Sequence, residues 1–162
     1  MRTNNGKVKN TIISIYFILI VLAVIVTALY SSFSEESQNP AITILIILGI
    51  FIVLLIITHN VSKYFEYDSD GIQVVIINKG LLVSEYVNYR EHRVEFEKDD
   101  LLGYRFRDFI FYKSMVITLR DKQGKKHKER FNVTLVGRRK RKYIRQSLSK
   151  IIKENRKTVK KA

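Results

Sequence analysis

Two unbroken apolar stretches dominate the first sixty positions, Thr11–Tyr30 and Ala41–Thr58. Neither contains an ionisable residue or a polar stripe. A helix rises about 1.5 Å per residue, so runs of this length reach roughly 27–30 Å, the thickness of a hydrocarbon core. The pattern predicts two membrane-spanning helices. A cleaved signal peptide is the rival reading of the first stretch, and the basic start (Arg2, Lys7, Lys9) suits one. The stretch is too long for it, and no small-x-small cleavage pattern follows.

After the second stretch the period changes to two. Tyr64–Asp68 and Ile72–Ile77 read as strands, with Ser69-Asp70-Gly71 as the turn between them. Asn78-Lys79-Gly80 reads as the turn that closes the second, and Leu81–Tyr89 as a third strand. Val94 and Phe96 alternate with charges, and Lys98–Leu102 reads as a short turn. Tyr104 and Phe106 alternate with Arg105 and Arg107, a half-buried strand with a basic outer face. Lys113–Arg120 and Lys126–Leu135 form the clearest hairpin, joined by Asp121-Lys122-Gln123-Gly124. Met115, Ile117 and Leu119 share one face of its first strand; Phe131, Val133 and Leu135 share one face of its second.

The period then becomes helical. Ile144, Leu148, Ile151 and Ile152 recur on one stripe within Arg138–Asn155, and the opposite face is almost wholly Lys and Arg. Several antiparallel strands followed by one amphipathic helix predict an α+β domain. No βαβ alternation argues for a Rossmann or P-loop fold.

The organisation follows. Residues 1–10 are a basic N-terminus, 11–30 and 41–60 are spans, and 31–40 are a short extracytoplasmic loop. Residues 61–155 are a cytoplasmic domain and 156–162 a basic tail. The loop carries Glu35 and Glu36 and no cation, while basic residues lie before the first span and after the second. The positive-inside rule therefore expects both termini in the cytoplasm. Spans without ionisable groups suit an anchor rather than a transporter or channel.

Charge sharpens the picture. The 162 residues hold 29 Lys plus Arg against 15 Asp plus Glu, for a net +14. That excess is local: residues 61–119 carry a net −2 and residues 120–162 a net +15. The absence of Cys removes disulfides, Cys-type zinc sites, iron–sulfur clusters and thiol nucleophiles.

The segments Tyr64–Ile72, Asn88–Arg93 and Phe131–Leu135, in this order after two spans and before a closing helix, resemble bacterial membrane-anchored pleckstrin-homology-like proteins. The resemblance implies a bent barrel of about seven strands capped by a C-terminal helix, and a binding or assembly module. Eukaryotic relatives that bind phosphoinositides use basic residues around the first hairpin. Here that hairpin is the acidic Asp68-Ser69-Asp70-Gly71, so no such site carries over.

Candidate chemistry is sparse. His59, His92 and His127 have no metal-ligand spacing, and His127 sits among lysines. Glu91, Glu95, Glu97, Asp99 and Asp100 form an acidic patch that reads as a solvated strand edge. Ser84 with His92 lacks a third catalytic group and an oxyanion hole. The expectation is no enzyme, no metal and no cofactor. Arg138, Arg139, Lys140, Arg141, Lys142 and Arg145 are the candidate binding residues, facing anionic lipid head groups or an acidic protein. Nucleic acid is the competing partner, because Tyr104, Phe106, Phe109, Phe111 and Tyr112 lie near Arg105 and Arg107. Tyr104 and Phe106 fit the core alternation better than a stacking platform. A structural subunit of a larger membrane complex is a further alternative.

Overall fold

The computed structural model describes residues 1–33, 39–81 and 91–159. They form two compact units, one of residues Val8–Asn60 and one of Met1–Lys7 with Val61 onward. Residues 82–89 of the expected strand Leu81–Tyr89, Ser84 among them, and the first half of the Asn88–Arg93 segment lie outside the described residues, as do Glu35 and Glu36 of the loop.

The first unit consists of α1 (Lys9–Phe33) and α2 (Pro40–Val61). Both are long and apolar enough to cross a membrane. Most of their side chains stand exposed, as with Phe17 and Leu45; Ile12 of α1 is buried, and none in α2 is. Pro40 opens α2 at the position where its missing N–H costs no helical hydrogen bond. In water such surfaces would collapse together; in hydrocarbon they are already in a matching solvent.

Among the described residues, the second unit holds seven strands in two antiparallel sheets. The four-stranded sheet has the order β1 (Arg2–Asn4), β2 (Lys63–Asp68), β3 (Gln73–Gly80), β4 (His92–Glu97). The three-stranded sheet runs β5 (Leu101–Asp108), β6 (Lys113–Arg120), β7 (Lys126–Asn132). A single turn of 3₁₀ helix, Lys98–Asp100, passes the chain from one sheet to the other. The terminal helix α3 spans Arg138–Val159, beyond the expected end at Asn155.

Core and alternation agree. Phe65, Tyr67, Val74 and Ile76 from the first sheet meet Met115, Ile117, Leu119 and Phe131 from the second. Ile144, Leu148 and Ile151 of α3 close over them, with Ile152 partly buried at the edge. Each such side chain contributes roughly 1.5–3 kcal/mol on burial. Polar threads tie the helix down. The Tyr67 hydroxyl lies 3.0 Å from Ser147 Oγ, the Tyr104 hydroxyl 2.6 Å from Ser149 Oγ, and Asn155 Nδ2 donates to the Lys98 and Leu101 carbonyls.

Three local readings change. Asn78 does not close β3 in a turn; β3 continues through it to Gly80. Its Nδ2 donates to the carbonyls of Tyr64 and Asn132, and its Oδ1 accepts the Asn132 N–H, at 2.9–3.1 Å. One amide side chain thereby supplies the ladder between the two sheets. The last strand ends at Asn132 rather than Leu135. Asn132 Oδ1 accepts from the Thr134 N–H and hydroxyl, which turns the chain. Val133 is still fully buried, while Leu135 is not. Gly124 closes the β6–β7 hairpin at φ 80°, and its N–H donates to the Asp121 carbonyl at 2.7 Å.

The third change is at the N-terminus, for which the sequence suggested no element. Arg2, Thr3 and Asn4 pair antiparallel with Asp68, Tyr67 and Glu66. Asn5 extends this ladder with its side chain. Its Oδ1 accepts the Phe65 N–H at 2.9 Å, its Nδ2 donates to the Lys63 carbonyl at 3.0 Å, and its own N–H donates to the Phe65 carbonyl at 3.2 Å. Asn5 is 2% exposed. The seventh strand thus comes from before the two apolar helices.

Candidate functional site: a basic groove at the start of α3

The Asn132–Thr134 turn delivers the chain to Gly137, whose carbonyl accepts the Arg141 N–H at 3.0 Å and starts α3. Ile144 and Leu148 are pinned in the core. Helical geometry then rotates Arg138, Arg139, Lys142 and Arg145 outward. A groove of about 700 Å³ runs here, lined by Arg138, Arg139, Arg141, Lys142, Arg145 and Gln146 with Asp108 at the end of β5.

The six candidate residues divide in two. Arg138, Arg139, Lys142 and Arg145 are exposed. Arg145 also lies over the Phe106 ring, 5.1 Å from its centroid, a cation–π contact. Lys140 and Arg141 are half-buried and hold the domain together. Lys140 Nζ donates to the Asn4 carbonyl at 2.6 Å, and Arg141 spans the two oxygens of Asp108 at 3.2 and 3.3 Å. Asp108 lines the groove, yet an isolated carboxylate in a basic segment gave no signal in the sequence. Its pairing with Arg141 is tertiary.

The electrostatics of this groove are costly for the protein. Arg138, Arg139 and Lys140 occupy the first turn of α3, which has no acidic residue. The macrodipole is positive there, and each cation so placed costs a few tenths to about 1 kcal/mol. Arg141 Nε adds a buried donor without a hydrogen-bond acceptor among the described residues. Donors, dipole and side-chain charge all have one sign. A group with negative charge would satisfy all three.

The other candidates are engaged elsewhere. Tyr104 and Phe106 pack against the core with their rings edge to face, so neither offers a free stacking surface. His92 Nε2 lies 2.9 Å from Glu129 Oε2, and its ring stacks on Phe131 at 4.9 Å. In the acidic patch, Glu91 pairs with Lys79 and Glu95 with Arg93. Among the described residues no group of three or more His, Asp or Glu is arranged to hold a metal ion.

Compared with protein-family models, curated proteins and solved structures, the chain matches none of them.

Proposed function

We propose that this chain is an integral membrane protein whose sheet domain is a cytoplasmic, non-enzymatic binding module. In this reading α1 and α2 cross the inner membrane as a hairpin. The groove at the start of α3 takes an anionic head group of the adjoining leaflet. The observation that carries the reading is the lining of one groove by four exposed cations, two of them (Arg138 and Arg139) in the first turn of α3, where the macrodipole disfavours them.

Two observations support the topology. β1 precedes α1 and pairs with β2, which follows α2, so both ends of the hairpin belong to one folded unit. Removal of α1 as a signal peptide would also remove β1. The two antiparallel sheets under a C-terminal helix support a pleckstrin-homology-like architecture at the level of layers. The acidic alternation around Asp68–Asp70 keeps the ligand site away from the first hairpin.

The test uses the full chain in neutral detergent. It is titrated with phosphatidylglycerol and with phosphatidylcholine across a salt series, and the unfolding temperature is followed. The anionic lipid alone should stabilise, and salt should weaken the effect. The triple change Arg138→Gln, Arg139→Gln, Lys142→Gln leaves Lys140 and Arg141 to hold the fold. At about 1 kcal/mol per cation it should weaken apparent affinity on the order of a hundredfold. Equal stabilisation by both lipids, or an unchanged triple variant, would remove the head-group reading. Stabilisation by an oligonucleotide instead would favour nucleic acid.

A further inference from the structure

The hairpin between β5 and β6 ends in four consecutive apolar residues, Phe109-Ile110-Phe111-Tyr112. The turn is tight, with the Phe109 N–H donating to the Tyr112 carbonyl at 2.9 Å. Strand alternation can bury only every second side chain, and here it buries none of the first three. Phe109 is 60% exposed, Ile110 89% and Phe111 76%. Single exposed apolar residues are ordinary on a protein surface; three adjacent ones on a projecting tip mark a contact.

The surroundings of the tip identify what it meets. Arg105 and Arg107 stand exposed on β5 just behind it. Asp108, the last residue before the turn, is the carboxylate held by Arg141. The tip and the basic groove are therefore neighbours on one rigid surface, an apolar point with a cationic collar. That combination suits the boundary between acyl chains and anionic head groups.

Connectivity locates this surface within the sheet unit. Lys113 pairs with Asp108 across the turn, and its carbonyl accepts the Val133 N–H. The adjacent Asn132 donates from Nδ2 to the carbonyl of Val61, the last residue of α2. At the same end, Lys140 holds Asn4 shortly before α1 begins. Both covalent connections to the apolar helices thus leave the unit at the pole that carries the tip. The β2–β3 turn with Ile72 lies at the opposite pole, because Asp68 pairs with Val75 there while Lys63 pairs with Gly80 near Val61.

We infer that Phe109, Ile110 and Phe111 form an insertion wedge that enters the interfacial layer of the same bilayer that holds the helices. This rests on the membrane reading above but not on the anion preference of the groove. Tethering at that pole keeps the wedge within reach of lipid at all times. The wedge and the groove together would fix the orientation of the domain, where the helix connections alone would let it swivel.

The chain contains no Trp, so one substitution gives one reporter. Full-length Phe111→Trp and Ile72→Trp are each reconstituted into neutral and into anionic vesicles, with and without brominated acyl chains. Ile72 is 84% exposed and serves as the control at the far pole. Phe111→Trp should be blue-shifted and should lose much of its emission to brominated lipid, while Ile72→Trp should do neither. Quenching in neutral and anionic vesicles alike would support the wedge while counting against the head-group preference of the groove. Quenching no greater than that of Ile72→Trp would overturn the wedge, even with the groove intact. A blue shift without bromine quenching would also overturn it, by placing the ring against protein.

Discussion

Asn5 offers the sharpest test of how the N-terminal segment is attached. Replacing it by Ala removes one buried and one half-buried hydrogen bond and no backbone pairing. The Phe65 N–H and the Lys63 carbonyl lose their Asn5 partners at a site where Asn5 is 2% exposed and Phe65 fully buried. A buried polar group left without a partner costs about 1–3 kcal/mol, so loss of the acceptor for the buried Phe65 N–H sets the expected destabilisation at about 2 kcal/mol. In a sheet unit near 100 residues, each kcal/mol lowers the midpoint by about 4 °C or more, which gives a fall of roughly 8 °C. The assay is thermal unfolding of the full chain in detergent, paired with hydrogen exchange. Exchange at the Phe65 amide should rise sharply, while amides in the centre of β6 keep their protection. A loss under about 0.5 kcal/mol with the Phe65 amide still protected would refute the reasoning. β1 would then be an ornament on the sheet rather than part of it.

Two further outcomes follow from local geometry. Burial first, then the hydrogen bond to Glu66 and its charge, push the Tyr64 hydroxyl up to about 12 from an ordinary value of 10.0. The neutral phenol is the form the fold prefers. Its contribution should be complete below about pH 10 and lost as pH rises through about 12. Tyr64→Phe should flatten that alkaline decline, read as unfolding temperature against pH alongside tyrosinate absorbance. Gly124→Ala meets no steric neighbour but must hold φ at 80°. It should lose about 1 kcal/mol in chemical denaturation without changing the denaturant slope.

The parts of the fold that the sequence shows are those set by local periodicity. The apolar runs each become one long helix, and the Met115–Leu119 face and the Ile144–Ile151 stripe, each defined within a few residues, have the burial their spacing implies. β1 was invisible for the opposite reason. Three residues carry no period, and their partner strand lies some sixty residues later. Asn78 misled because Asn favours turns only while its amide lacks a better partner. Asn132 provides one across the sheet junction.

The candidate site was legible as charge and illegible as shape. Six cations stood out in the sequence, but only packing separates the four that face outward from Lys140 and Arg141, which serve the fold. The Phe109–Tyr112 run carried a usable signal. Four apolar residues in succession cannot alternate, and a run that breaks the period of its strand must be turned outward somewhere.

The clip at Asn5 also bears on how the protein is made. Under the two-span reading, a ribosome delivers β1 first and its partner only after both helices have emerged. β2 therefore waits with a bare edge until the N-terminal residues arrive on its own side. A molecule that threaded α1 the wrong way would leave Arg2–Asn4 across the bilayer and that edge unpaired for good. Under that reading, only a chain with both ends on the same side can pair Arg2–Asn4 with β2 and finish its sheet.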